Sequence, residues 1–198
     1  MNLDDFAALM TAQLTRPPVP LQRQLDTLKR LKLVVPQAQA EAFLSAPAPY
    51  EREPYTALLT GLAQESSAQV LSLDAEVADA SHMYRDLMAR LQALTGGELS
   101  PENVQENGAG ADWNGPSGIW RVSFTLHGHP YSYDAAFLGN WLDLDFFPFL
   151  NSVLEQEGFR RRFITVDDAR IQGLLVFYRS PEWAGFFQAG TGLLVRDR

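Results

Sequence analysis

The side chains most able to do chemistry in this chain of 198 residues are a pair of histidines and a pair of aspartates. His127 and His129 stand at i and i+2, so in a regular strand both imidazoles would face one side, as a two-histidine metal pair requires. The intervening Gly128 and the following Pro130 instead mark a turn. Zinc sites need further donors and a hydrogen-bonded outer shell, and none lies nearby in sequence. The third histidine, His82, falls among residues with helical spacing and reads as a helix surface residue.

Asp143 and Asp145 lie in the run Asn140-Trp141-Leu142-Asp143-Leu144-Asp145. Two carboxylates beside an aromatic ring can bind a cation or divide acid and base roles, provided their environments separate their pKa values. Asp145 is equally well placed to cap the helix that follows. Asp134 would complete such a site only if its hairpin folds back onto this loop. Asp143, Asp145, His127, His129 and Asp134 together therefore define what a hydrolase or metal-assisted enzyme would use here. The basic run Arg160-Arg161-Arg162 does not make an anion site, because alternate strand residues point to opposite faces; it reads as a charged edge.

Other chemistry is excluded by absence. The chain has no cysteine, hence no disulfide, thiolate metal site or cysteine nucleophile. GxxxxGK[ST], GxGxxG after a strand, GxSxG and HExxH do not occur. No cofactor or metal is expected. A net charge of −8 and a pI near 4.8 disfavour nucleic acid and anionic membrane surfaces. The charge is even: residues 1–98 and 99–198 each hold 8 Lys/Arg and 12 Asp/Glu, so neither half is a tail of one sign. Without a basic leader or a long apolar run, a cytoplasmic location is the expectation.

The elements that must position these residues divide the chain in two. Residues 1–97 read as helices punctuated by proline. A first helix runs from Asn2 through Leu3, Phe6, Leu9, Met10 and Leu14. A second runs from Leu21 to Val35, a short third begins at Pro36, and another follows Pro54. The proline-rich piece 46–54 reads as a linker. Residues 69–73 are ambiguous and assigned to helix. Leu73, Val77, Ala80, Tyr84, Leu87, Leu91 and Leu94 alternate spacings of four and three, which predicts one long helix with a packed seam.

Residues 98–118, polar and rich in glycine, are expected to form a loop or linker. Beyond it the period falls to two. Trp120, Val122, Phe124 and Leu126, then Tyr131, Tyr133, Ala135 and Phe137, predict a hairpin. Phe146 to Leu154 return to helical spacing, residues 159–166 and 171–178 predict a second hairpin, and Ser180-Pro181-Glu182 starts a last helix. Leu174 to Tyr178 are apolar on both faces and belong at a sheet centre.

The fold expected is α+β: a helical N-terminal half packed on a four-stranded antiparallel sheet built as hairpin-helix-hairpin-helix in 119–198, the halves sharing one core. Of 22 aromatic residues, 17 lie in 99–198. Missing catalytic motifs and this aromatic surplus point to a non-enzymatic protein-interaction module, an adaptor, regulatory, chaperone-like or immunity-type binding protein, with Trp141, Tyr131 and Tyr133 as interaction residues. The enzyme described above and a small-ligand sensor with an aromatic pocket are the alternatives. A monomer is expected, with a homodimer through the Leu73–Leu94 seam as the other arrangement.

Overall fold

The computed structural model describes residues 17–65, 69–167, 171 and 173–196. The helix expected from Asn2 to Leu14 lies outside them. The described residues form α1 (Leu21–Arg30), α2 (Gln37–Ser45), α3 (Ala48–Arg52), α4 (Thr56–Glu65), β1 (Leu71–Leu73), α5 (Met83–Leu94), β2 (Glu102–Asp112), β3 (Ser117–Leu126), β4 (His129–Ala136), α6 (Phe146–Gln156), β5 (Arg162–Asp167), β6 (Leu174–Arg179), α7 (Pro181–Thr191) and β7 (Leu194–Arg196). No helix among them is long and apolar enough to cross a membrane.

The protein is α+β, but its strands make two antiparallel sheets. One has the order β1-β6-β5-β7 and the other β2-β3-β4. The four expected strands are all present, as β3, β4, β5 and β6, yet the two hairpins do not join. The reason lies in their faces. On β6, Leu175 and Phe177 enter one core and Val176 and Tyr178 the other, so this strand is covered on both sides. On β3 only Trp120, Val122, Phe124 and Leu126 are buried, so its sheet forms an outer layer with one wet face.

The layers follow. Helices α1, α2, α4 and α7 cover one face of the first sheet through Leu28, Phe43, Leu58, Leu62 and Phe187. Helices α5 and α6 lie between its other face and the second sheet, sharing a core of Tyr84, Leu87, Phe146, Leu150, Phe124 and Tyr178.

Four local expectations are corrected. Residues 69–73 contribute strand β1, paired antiparallel to β6 through Leu71↔Val176 and Leu73↔Leu174. Leu73 is therefore on a strand, and the expected long helix begins only at Met83. Before it, Asp79 accepts the Ser81 N–H at 2.8 Å and caps a single 3-10 turn, Ala80–His82. The seam spacing counted core-facing residues correctly across a break made by turn formers.

The stretch expected as a loop, 98–118, holds β2, paired with β3 along Glu102↔Thr125 to Asp112↔Ser117. Its inward row mixes Val104 and Ala111 with polar and small residues: Glu106 takes the indole N–H of Trp120 at 2.8 Å and the Arg85 N–H at 2.6 Å, satisfying a first-turn donor of α5. Gly108 lies under the Trp120 ring, where a Cβ would sit 2.4 Å from Cζ3.

Helix α1 stops at Arg30 rather than Val35. Lys32 takes a φ of 57° and its N–H reaches Lys29 O, while the Leu33 N–H reaches Leu28 O, a Schellman closure that buries Leu33. The piece 46–54 contains the short helix α3.

Candidate functional site

The histidines come together, on a partner that sequence spacing did not indicate. His127 and Gly128 are the two central residues of the tight turn between β3 and β4, with φ of 50° and 84°, the positive values a two-residue hairpin turn demands. His127 Nδ1 lies 2.8 Å and His129 Nδ1 2.7 Å from the two carboxylate oxygens of Glu157, and Tyr131 donates its hydroxyl to the same carboxylate. Glu157 is the residue that closes α6, and its side chain is only 7% exposed. Hydrogen bonds from Tyr131 first, then from His129 and His127, hold its carboxyl well below the ordinary 4.5, at about 2. His127 also stacks face to face on Phe159.

This cluster clamps the β3–β4 turn to the end of α6. It is not arranged as a metal centre: no group of three or more His, Asp or Glu among the described residues is disposed to hold an ion.

The aspartates lie elsewhere. Asp143 takes the Tyr133 hydroxyl and the Ala136 N–H on one oxygen, each at 2.9 Å, and the Asp145 N–H on the other at 3.1 Å. Its own N–H donates to Tyr84 at 3.0 Å. Asp143, not Asp145, thus organises the start of α6; Asp145 is the residue before the helix but makes no side-chain cap. Burial, with the hydrogen bond to Asp143 second, pushes the Tyr133 phenol up.

Asp134 stands on the outer face of the second sheet, in a two-pronged pair with the cross-strand Arg121 at 2.6 and 2.9 Å. His129 and Tyr133, which mark the histidine and aspartate clusters, are four residues apart on β4, roughly 13 Å along the strand. The candidate enzyme residues occupy three places, and each carboxylate that has a side-chain donor uses it to hold the fold. Tyr131 and Tyr133 are half-buried with their hydroxyls committed to Glu157 and Asp143.

A different surface is left open. Trp113 (63% exposed), Leu138 (40%), Trp141 (48%) and Leu144 (43%) line one shallow groove of about 1110 Å³, floored by Phe137 and Leu142. Its walls are the β2–β3 turn, the segment 137–144 after β4 and the chain around Asp79. The Trp113 ring is held by its neighbours, and Trp141 is anchored through its backbone. Trp113 packs edge-on against Phe137, centroids 4.9 Å apart, and against Trp120 at 5.6 Å. The Asp112 carboxylate accepts the Asn114 N–H at 2.9 Å and shapes that turn. Trp141 sits on backbone bridged to both Leu138 and Glu76, and the Asn140 side chain donates to Glu76 at 3.0 Å.

Trp113 was not legible as a site residue, since it falls in the stretch expected as a loop. A cavity between α6 and the first sheet, lined by Phe147, Asn151, Phe163 and Leu174, measures about 260 Å³. That is below the ~300–1,000 Å³ of ordinary ligand pockets. Family models, curated proteins and solved structures were all compared with this chain, and none matches it.

Proposed function

We propose that the protein is a protein-interaction module and that the Trp113/Trp141 groove is its contact face. The observation that carries this reading is the exposure of two braced indoles and two leucines in one groove. Tryptophan is ordinarily among the most buried side chains, and contiguous apolar surface of this kind marks a contact site. Indoles also dominate binding energy where they dock into a partner, and the Trp113 ring, already packed on Phe137 and Trp120, loses little freedom on binding. The enzyme and small-ligand alternatives have no comparable support: His127, His129 and the Asp143 and Asp134 carboxylates are engaged with Glu157, Tyr133 and Arg121 in three separate places, and Asp145 stands apart from the histidines.

Site-specific photo-crosslinking tests this. A photoreactive side chain at Leu138, inside the groove, should capture a discrete protein adduct in extract from the native host. The adduct should disappear when Trp141→Ala is added. The same group at Phe186, 70% exposed on α7 and outside the groove, serves as the control. Equal adducts from both positions, or none from Leu138, would remove the groove as the contact face.

A further inference from the structure

The groove has an acidic lip in which carboxylates outnumber cations. Asp79 lines the groove itself, and a second hollow that shares Ala78, Asp79 and Leu142 with it is walled by Asp74, Glu76, Asp79 and Asp86, with Arg90 as its one cation. That is a local balance of four acids against one base, or −3. Three carboxylates elsewhere each face an arginine: Asp134 with Arg121, Glu98 with Arg161 and Glu155 with Arg162. Among the described residues, none of the four lip acids has a salt-bridge partner. Asp74 and Asp79 accept from the Glu76 and Ser81 N–H groups, and Glu76 accepts from the Asn140 amide. These bonds fix the carboxylates in position and leave their charge unbalanced.

Resting on the contact face proposed above, we infer that the groove takes a basic segment of a partner protein in which Arg or Lys alternates with apolar side chains. Two features of one surface select it. Apolar side chains fit the Leu138–Leu144 floor, and guanidinium or ammonium groups can stand over the faces of Trp113 and Trp141 while the lip carboxylates lie alongside. A neutral segment would leave the lip unpaired, and an acidic one would meet like charge. A segment of this composition also has its approach accelerated by the lip, an effect that salt screens.

The experiment is a selection of random peptides displayed on phage against the purified full chain, with counter-selection on the Leu138→Ser/Trp141→Ala variant. Both replaced side chains are exposed, and retained circular dichroism verifies the variant's fold. Counter-selection removes peptides held merely by the overall negative charge. The expected pool is enriched in Arg and Lys next to Leu, Met or aromatic residues. A resynthesised member should bind about tenfold more weakly to Asp74→Asn/Glu76→Gln/Asp79→Asn/Asp86→Asn, an isosteric set that keeps the turn-forming acceptors, as expected when several rim charges are removed together. An enriched pool of neutral or acidic peptides, or affinity unchanged in the amide variant, would overturn the basic partner and leave the groove as contact face. A selection yielding no peptide that distinguishes the parent from the counter-selecting variant would overturn both.

Discussion

Asn151 acts as a missing strand residue, and replacing it measures how firmly α6 holds the first sheet. β5 pairs with β6 from Arg162 to Val166, but β7 reaches only Thr165 to Asp167. Among the described residues, no strand meets the Phe163 backbone groups on the β7 side. The Asn151 amide, 5% exposed, supplies both partners: its Nδ2 donates to Phe163 O at 2.8 Å and its Oδ1 accepts the Phe163 N–H at 2.7 Å. Asn151→Leu keeps the volume and removes both bonds. Each stranded buried backbone group costs roughly 1–3 kcal/mol, so the sum is about 2–6 kcal/mol before any gain from the added apolar surface, and ~3 kcal/mol is the working figure.

For a chain of this size ~3 kcal/mol corresponds to a fall in Tm of roughly 6–12 °C. Urea unfolding of parent and variant with a common m-value gives the number directly. Asn151→Asp sharpens the test. Ionised, its carboxylate faces the Phe163 carbonyl; protonated, it offers one donor and one acceptor and restores both bonds. Its folded pKa is thus raised, so its stability deficit should be smallest at acid pH and grow as pH rises through that raised value. Asn151→Leu within ~0.5 kcal/mol of the parent, or an Asn151→Asp deficit independent of pH, would refute the surrogate-strand account.

Two further outcomes are expected. Leu87, buried on α5 in the core between the sheets, should not tolerate Leu87→Asp: an unpaired charge there costs several kcal/mol and should unfold the chain, whereas a folded variant that merely changes its sedimentation would make that face an intermolecular contact. Glu157, whose folded pKa is depressed to about 2 from 4.5, contributes stability that is fully present above about pH 4.5 and lost as pH falls toward 2; Glu157→Gln should flatten that acid limb in urea midpoints measured against pH, and parallel curves for the two proteins would count against the clamp.

The parts legible in sequence are those whose burial is periodic. β3, β4, β6 and α6 each bury one or two continuous faces, and spacing alone located them. β2 was missed because Glu106 and Gly108, which cap α5 and admit the Trp120 ring, interrupt an inward row whose apolar members are Val104 and Ala111, so apolar alternation is broken. The 73–94 seam overran for the opposite reason: Val77 and Ala80 pack against the core outside any α-helix, while Asp79 turns the chain. The sites show the same division. Trp141 stood out beside its aspartates, but Glu157 is 30 residues from His127, and only its position just before the helix-ending Gly158 sets it apart.

The positions of the polar clusters and the groove have a common cause in the layering. α6 is packed on both sides, so its two ends are the places where the second sheet must be fastened to it. At one end Glu157 gathers His127, His129 and Tyr131; at the other Asp143 gathers Tyr133, Ala136 and the first turn of the helix. These fastenings engage His127, His129 and Asp143, three of the groups that looked catalytic. The same anchoring fixes the chain from Phe137 to Leu144 across the edge of the core, where the Trp141 backbone bridges to Glu76 and Leu138 and its side chain is half exposed. That side chain stands at the surface next to the acids of the turn preceding α5. A contact face assembled from turns braced in this way needs little ordering when a partner arrives, which favours recognition by a short segment over a large, mutually folded interface.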